Sequence, residues 1–259
     1  MSEFTERVVK VNGAELALIE GGSGPALLVL HEELGHPGWL NWHRQIAKHR
    51  RIIIPIHPGF QTERLSWVRN VRDLACLYGF LLRDQKIDTV DVLGFSLGGW
   101  IAAEMAVGNP SLFRRMALVA PFGIKPGEGY IMDMFPMSSA EYLKASVANI
   151  AATPEFEHLY GEGSAQQFEL WEDARTECAR LAWEPYMHNP SLEPLLGGLT
   201  GLPTLIMWGD KDAILPGSAV HDYAKAIPRA RLHVLKGAGH RPEAEKTDEF
   251  VRELEEFLN

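Results

Sequence analysis

The chain has 259 residues, 46% of them apolar and 23% charged, and a formal net charge of −9. That balance is the composition of an ordinary folded protein and excludes a disordered or fibrous chain. The acidic charge is spread along the sequence, which excludes nucleic acid as a partner, because binding phosphate needs a basic face.

Residues 1–10 carry charges where a signal peptide needs an apolar run, so a cytoplasmic protein is expected. No stretch reaches the ~18 apolar residues of a membrane span, and no membrane partner is expected. Residues 7–11 and 14–20 are strand-like runs around Asn12-Gly13, a two-residue hairpin signal. Residues 21–25 break the chain before the apolar run 26–30, which reads as a strand buried on both faces. A helix is predicted over 39–49, a strand over 51–56 and a helix over 67–85. Another buried strand follows at 90–93, a helix at 97–107 and a strand at 116–120. The alternation resumes with a strand at 203–208, a helix at 218–226, a strand at 231–235 and a closing helix at 242–258. Strands alternating with helices imply a mostly parallel sheet flanked by helices, an α/β class.

Between Phe122 and Leu202 this pattern gives way to helical segments around 141–152 and 168–187, with no strand candidate. The expected organisation is a core of residues 1–121 and 203–259 with a helical cap, 122–202, inserted after the sixth strand. The cap is rich in methionine and aromatic residues, among them Met134, Tyr142, Tyr160, Trp171, Trp183 and Tyr186. Such surfaces suit a small-molecule substrate with an apolar or aromatic group. Cys76 and Cys178 are too few for a disulfide framework and lack metal spacing. Both lie in helix-like stretches and are expected as buried, inert thiols.

The segment Gly94-Phe95-Ser96-Leu97-Gly98-Gly99 joins the strand 90–93 to the helix after it. This Gly-x-Ser-x-Gly elbow holds a serine in a strained turn and needs small residues two positions away, where backbones crowd. The hydroxyl is pushed out at the carboxyl end of the sheet, and the Leu97 amide points to where an oxyanion forms. A serine needs a base, itself held by a carboxylate, and in this chain order both follow it. Gly209-Asp210-Lys211-Asp212 comes after the strand ending near Trp208, and Gly237-Ala238-Gly239-His240 after the strand ending at Leu235. Both turns reach the same edge of the sheet as Ser96, the edge where ligand chemistry collects.

From 8 to 258 the chain resembles the α/β-hydrolase fold of the single-chain, helical-cap type, which includes esterases, lactonases, C–C bond hydrolases and cofactor-free haloperoxidases. The resemblance implies a triad of Ser96, Asp212 and His240, with Asp210 a turn residue, and no cofactor. His57-Pro58-Gly59-Phe60 resembles the family's Asp-x-Pro-Gly loop, with His in place of Asp. A larger departure follows the strand 26–30, where His31-Glu32-Glu33-Leu34-Gly35 stands in place of His-Gly and further glycines. The amide of Glu32 or Glu33, the latter favoured, is the expected second oxyanion donor beside Leu97.

Two fates are open to these carboxylates. They turn to solvent or pair with a nearby Arg or His, or one faces the pocket and disfavours anionic substrates. His31-Glu32 is no zinc helix, since the position for a second histidine holds Gly35, and His36, His43 and His49 do not repair the spacing. The expected activity is hydrolysis of an ester or lactone, with C–C cleavage of an aromatic ring-cleavage product as the alternative. A ligand receptor with the hydrolase fold is the third reading.

Overall fold

A computed structural model of the chain describes residues 3–153, 155–156 and 165–259. Strands β1 (Phe4–Val11) and β2 (Ala14–Gly21) form an antiparallel hairpin, and β2 pairs antiparallel with β4 (Arg51–Pro55). The remaining strands are β3 (Ala26–Leu30), β5 (Val90–Phe95), β6 (Phe113–Val119), β7 (Thr204–Gly209) and β8 (Ala230–Leu235). All their pairings are parallel, and the eight strands lie in the order β1-β2-β4-β3-β5-β6-β7-β8.

Both faces of the sheet are covered, which is why its central strands read as unbroken apolar runs. Alternate residues of β3 face opposite ways. Leu28 and Leu30 join the core built by α2 (Val71–Asp84) and α3 (Leu97–Gly108). Leu27 and Val29 pack with α1 (Asn41–Ile46) and α9 (Thr247–Leu258) through Trp42, Ile46, Phe250 and Leu254. At the amino end of β5, buried Asp91 is paired with Arg50 and Arg114 at 3.0 Å each.

Several helix ends differ from the sequence expectation, each for a local reason. Helix α2 starts at Val71 rather than 67 because the Asn70 side chain accepts from the Asp73 amide (3.0 Å), a cap that fixes the first turn. Helix α7 (Gly217–Ala226) lies between β7 and β8, and the closing helix is interrupted at Lys246, leaving α8 (Pro242–Glu245) ahead of α9. Between β6 and β7 lie α4 (Ser139–Ala145), α5 (Ala165–Ala182) and α6 (Leu192–Leu196), with a 3₁₀ turn at Ile150–Ala152. The helix expected over 141–152 is therefore split. Its start is set by a capping box between Ser138 and Glu141. Helix α5 stops short of 187 because Pro185 disfavours helical backbone at Glu184.

One expectation needs correction. Cys178 is buried, but Cys76 is exposed, since Leu74, Ala75, Leu77 and Tyr78 carry the packed face of α2 and position 76 falls outside it. Trp183 is 54% exposed and rests against Phe135 (ring centroids 4.9 Å apart). Tyr160 lies outside the described residues. No described helix is long and apolar enough to cross a membrane.

The site depends on how closely α3 approaches β3. A Cβ at Gly98 would lie 2.1 Å from the Leu30 carbonyl oxygen and 2.5 Å from that of His31. Both are backbone atoms and cannot swing aside. Gly98→Ala is expected to destabilise the protein by about 1–3 kcal/mol or more through overpacking, measured by chemical denaturation. A stability equal to wild type would show that α3 can move off β3 without cost.

Candidate active site

Ser96 sits between β5 and α3 with φ 48° and ψ −110°, a left-handed conformation that side-chain-bearing residues rarely hold. It is fixed there by its amide, which donates to the Val119 carbonyl (2.9 Å), and by its own carbonyl, which accepts from Phe122 (3.1 Å). A Cβ at Gly94 would come within 2.4 Å of the Gly98 carbonyl oxygen, so the turn closes only with glycine there. Leu97 is the first residue of α3, and its amide is one of those a helix start leaves without an intrahelical acceptor.

The turns after β7 and β8 interlock. A Cβ at Gly209 would lie 2.2 Å from the carbonyl oxygens of both Ala238 and Gly239, so the two turns share one small space. Asp212 Oδ1 accepts from the amides of Ile214 and Leu215 (2.8 Å each), which aims Oδ2 at His240 Nδ1 (2.8 Å). Trp208 Nε1 donates to the same Oδ2 at 3.1 Å. With Nδ1–H donated to Asp212, His240 Nε2 is the acceptor for the Ser96 hydroxyl at 3.0 Å. Asp210 instead accepts from the Gly237 amide (2.6 Å) and holds the turn. The structure thus brings Ser96, His240 and Asp212 into one hydrogen-bonded run and leaves Asp210 outside it.

The run is closed off from water: Ser96 is 3% and His240 4% exposed. The Phe122 ring stacks on the imidazole, centroids 5.6 Å apart. Burial favours neutral His240, but the charge of Asp212 and its hydrogen bond, with Glu33 adding to them, raise its pKa above 6.5.

The loop after β3 is pinned by a pair of stacked histidines, His31 and His57, with centroids 3.6 Å apart. His31 Nε2 accepts from the His57 amide (2.9 Å), so its Nδ1–H donates to the Glu32 carbonyl (2.9 Å). His57 Nε2 donates to the His31 carbonyl (3.0 Å), and its Nδ1 accepts from the Tyr78 hydroxyl (2.5 Å). Each ring is neutral in this arrangement, and burial drives both pKa values down, that of His57 to about 3. His57, in the place of the usual aspartate, is therefore a brace for the loop.

Neither glutamate turns to solvent. Glu32 (6% exposed) pairs with buried Arg241, whose Nε also donates to Ser146 Oγ (2.8 Å). Burial and the neighbouring charge of Glu33 raise the Glu32 pKa against the pull of Arg241. Glu243 beside this pair is pushed up to about 8 by burial and by the charge of Glu32. Glu33, with no exposed surface, accepts from the Tyr142 hydroxyl at 2.7 Å. Burial opposes its charge, but His240 and Arg241 outweigh it and hold the carboxyl below the usual range, helped by the Ser96 hydroxyl and the residue's own amide.

Tyr142 and Arg241 are the site residues that the sequence left without a role. The first reads as an ordinary cap aromatic, and the second stands next to His240 with no spacing signal of its own. Helix α4 brings Tyr142 and Ser146 over the site, and the Ser146 carbonyl accepts from the His240 amide (2.8 Å).

A cavity of about 180 Å³ opens beside Glu32, His36, Gln61 and Trp171. A larger one, about 760 Å³, lies on the outer side of α2 and α3 around Cys76, Phe80 and Met105, and contains none of the three turns described above. Neither cavity is lined by Ser96, Asp212 or His240; the smaller one reaches the site's surroundings through Glu32. Among the described residues no group of three or more His, Cys, Asp or Glu is placed to hold a metal ion.

A mostly parallel sheet with a serine at the strand-to-helix elbow defines an α/β hydrolase. Residues 27–253 match the model of the alpha/beta hydrolase family, and the chain belongs to that family. Over its whole length it is similar to a 2-hydroxy-6-oxo-6-phenylhexa-2,4-dienoate hydrolase of Comamonas testosteroni, at 28% identity with 100% of this chain and 99% of that one covered. The solved structure of the like-named hydrolase from Rhodococcus sp. strain RHA1 aligns with a TM-score of 0.82 at 20% identity, covering 99% of both chains. An esterase from Exiguobacterium antarcticum aligns with a TM-score of 0.78 at 19% identity, covering 100% of this chain and 99% of that one.

The Glu32–Arg241 pair gives the site its most demanding internal balance. Arg241→Met leaves a buried carboxylate without its cation and is expected to cost about 3–5 kcal/mol in chemical denaturation. Adding Glu32→Gln should recover a large part of that loss, since the stranded charge is then gone. Additive losses in the double variant would mean that the two side chains act independently.

Proposed function

We propose that the chain is a serine hydrolase that cleaves a carboxylic ester or lactone carrying an apolar or aromatic group, through an acyl-enzyme on Ser96. The observation that carries this reading is the hydrogen-bonded run from Ser96 through His240 to Asp212. Ser96 Oγ attacks the acyl carbon while its proton passes to His240 Nε2, and the acyl oxygen takes up the negative charge. The amides of Leu97 and of Glu33, or of Glu32, supply the donors for that oxyanion. His240 then gives the proton to the leaving alkoxide, and later takes one from the water that releases the acid. Asp212 keeps the imidazole in the tautomer this requires.

Residues 122–202 act as the cap and 1–121 with 203–259 as the hydrolase core. Tyr142 and Trp171, both buried, lie on the cap side of the site and suit an apolar or aromatic acyl or alcohol group. The second reading, C–C cleavage of an aromatic ring-cleavage product, is favoured by the dienoate hydrolases among the relatives. Against it stand the two glutamates in the loop after β3, because a dienoate brings a further negative charge to a site that already holds Glu33.

Ser96→Ala is expected to lower kcat for a nitrophenyl ester by roughly 10⁴-fold or more while leaving the fold intact. Full activity in that variant would refute the assignment. His240 must be neutral to accept the serine proton, and its pKa is raised, so the wild-type rate should climb with pH through a value above 6.5. A panel of esters, lactones and dienoic ring-cleavage products assigns the bond: preference for the dienoic substrates would put the second reading first. A burst of nitrophenol equal to the enzyme concentration separates an enzyme with an acyl intermediate from a receptor.

A further inference from the structure

Glu33 occupies a position that the reaction outlined above does not explain. One carboxylate oxygen accepts from Tyr142 at 2.7 Å, while the other is fully buried with no donor within hydrogen-bond geometry among the described residues, the Ser96 hydroxyl and the residue's own amide acting on the carboxyl without closing a bond to that oxygen. Such an atom in a closed interior is costly unless something occupies it during function. It is also a carboxylate near the nucleophile and its base, on which both Ser96 and His240 act, whereas Asp212 contacts His240 from the other ring nitrogen.

The surroundings do not neutralise it. From the turn after β8 it faces His240 and Arg241, and Arg241 is already engaged by Glu32. From its own loop it faces Glu32, from α4 the Tyr142 hydroxyl, and from α5 and the turn beyond it Cys178 and Tyr186, both neutral groups with raised pKa values. Asp212 lies behind His240. When His240 is neutral and ready to act, the carboxylates around Ser96 outnumber the cations.

We infer that Glu33 decides which acyl groups reach Ser96, its carboxylate rejecting ester substrates that carry a carboxylate and admitting uncharged or cationic ones. This rests on Ser96 being the nucleophile. The unpartnered oxygen offers an acceptor to a substrate N–H or O–H, and its charge attracts an ammonium group. A second carboxylate in the same closed space meets like-charge repulsion in a medium of low dielectric. Two like charges ~5 Å apart at an effective dielectric of ~20 differ from a neutral pair by a factor on the order of a few hundred in binding. Mutual support between Glu33 and His240 fits the same placement, as each favours the charged form of the other.

The test uses the full chain and three fluorophosphonates of matched size, ending in a methyl, a carboxylate and a trimethylammonium group. Labelling of Ser96 is followed by intact-mass spectrometry at ~0.5 M salt, where steering by the net charge of the protein is screened. In wild type the uncharged and cationic probes should label at least tenfold faster than the carboxylate probe. Glu33→Gln should bring the three rates within about threefold of one another. The same variant removes a negative neighbour of His240, so the acid limb of labelling by the uncharged probe should move to lower pH. A carboxylate probe that labels wild type as fast as the methyl probe would overturn the inference, as would an unchanged ratio in Glu33→Gln. Should that variant fail to fold, the wild-type ratio still decides. Absence of labelling by every probe would instead remove Ser96 as nucleophile, a separate failure.

Discussion

The structure is organised around one close approach, the first turn of α3 against the last carbonyls of β3. Leu30 and His31 carbonyl oxygens stand where a side chain at position 98 would have to go. This contact forces the abrupt passage from β5 into α3 that holds Ser96 at φ 48°. It also sets the loop after β3 directly beside the serine, because the loop begins at the residue that Gly98 touches. The nucleophile and the glutamates are neighbours for that reason, though 63 or more positions separate them in sequence. The cost of the turn is spread over α3, which is buried on nearly every side, with Ile101, Ala102, Ala103 and Ala106 fully covered.

Once the backbone is fixed, the site becomes a problem of buried charge. Glu32, Glu33 and the Asp212 side chain are withdrawn from water, and a buried ion is tolerated only when paired or hydrogen-bonded. Each carboxylate finds a different solution. Asp212 has backbone amides, an indole N–H and the imidazole; Glu32 has Arg241; Glu33 has Tyr142 and the field of His240. Glu243 takes the remaining route and is pushed up to about 8, so that it carries its proton at neutral pH. Arg241 joins these elements: it meets Glu32 from the loop after β3 and Ser146 at the end of α4. One guanidinium thereby ties the sheet edge to the helical segment above it.

Much of this was legible in the sequence, and the parts that were not share a cause. Buried parallel strands announce themselves as apolar runs, and β3, β5 and β7 lie where those runs are. Glycine-rich turns after such strands mark the sheet edge, so Ser96, Asp212 and His240 could be placed together without knowing a single distance. The contacts that pairing and periodicity do not encode stayed hidden. Tyr142 meets Glu33 across 109 positions and Arg241 meets Glu32 across 209, and neither pair has a spacing rule. The sequence could say that two glutamates stood where glycine is usual, but only the packing of α4 and α8 decides that neither reaches water. Cys76 marks the limit on a smaller scale: an apolar periodicity finds the buried stripe of α2, and a residue one step off that stripe is on the outside.

The position of Glu33 bears on the proposed reaction in two opposing ways. As Ser96 attacks, its proton moves to His240 and negative charge moves to the acyl oxygen, so the site's net charge does not change. A carboxylate nearby stabilises the new imidazolium and destabilises the new oxyanion. In a closed, poorly screened interior both effects are large, and their difference depends on which charge is nearer. Tyr142 shifts that balance, since a hydroxyl donated at 2.7 Å draws off part of the carboxylate's charge on the side facing α4. In the proposed reaction the oxyanion is compensated separately, by the backbone amides of Leu97 and of Glu33 or Glu32. In that proposal the two charges of the transition state fall to different structures: carboxylates attend the imidazolium, and amides attend the oxyanion. A substrate that brought its own anion would be repelled by the carboxylates and would add to the negative charge that the amides have to compensate.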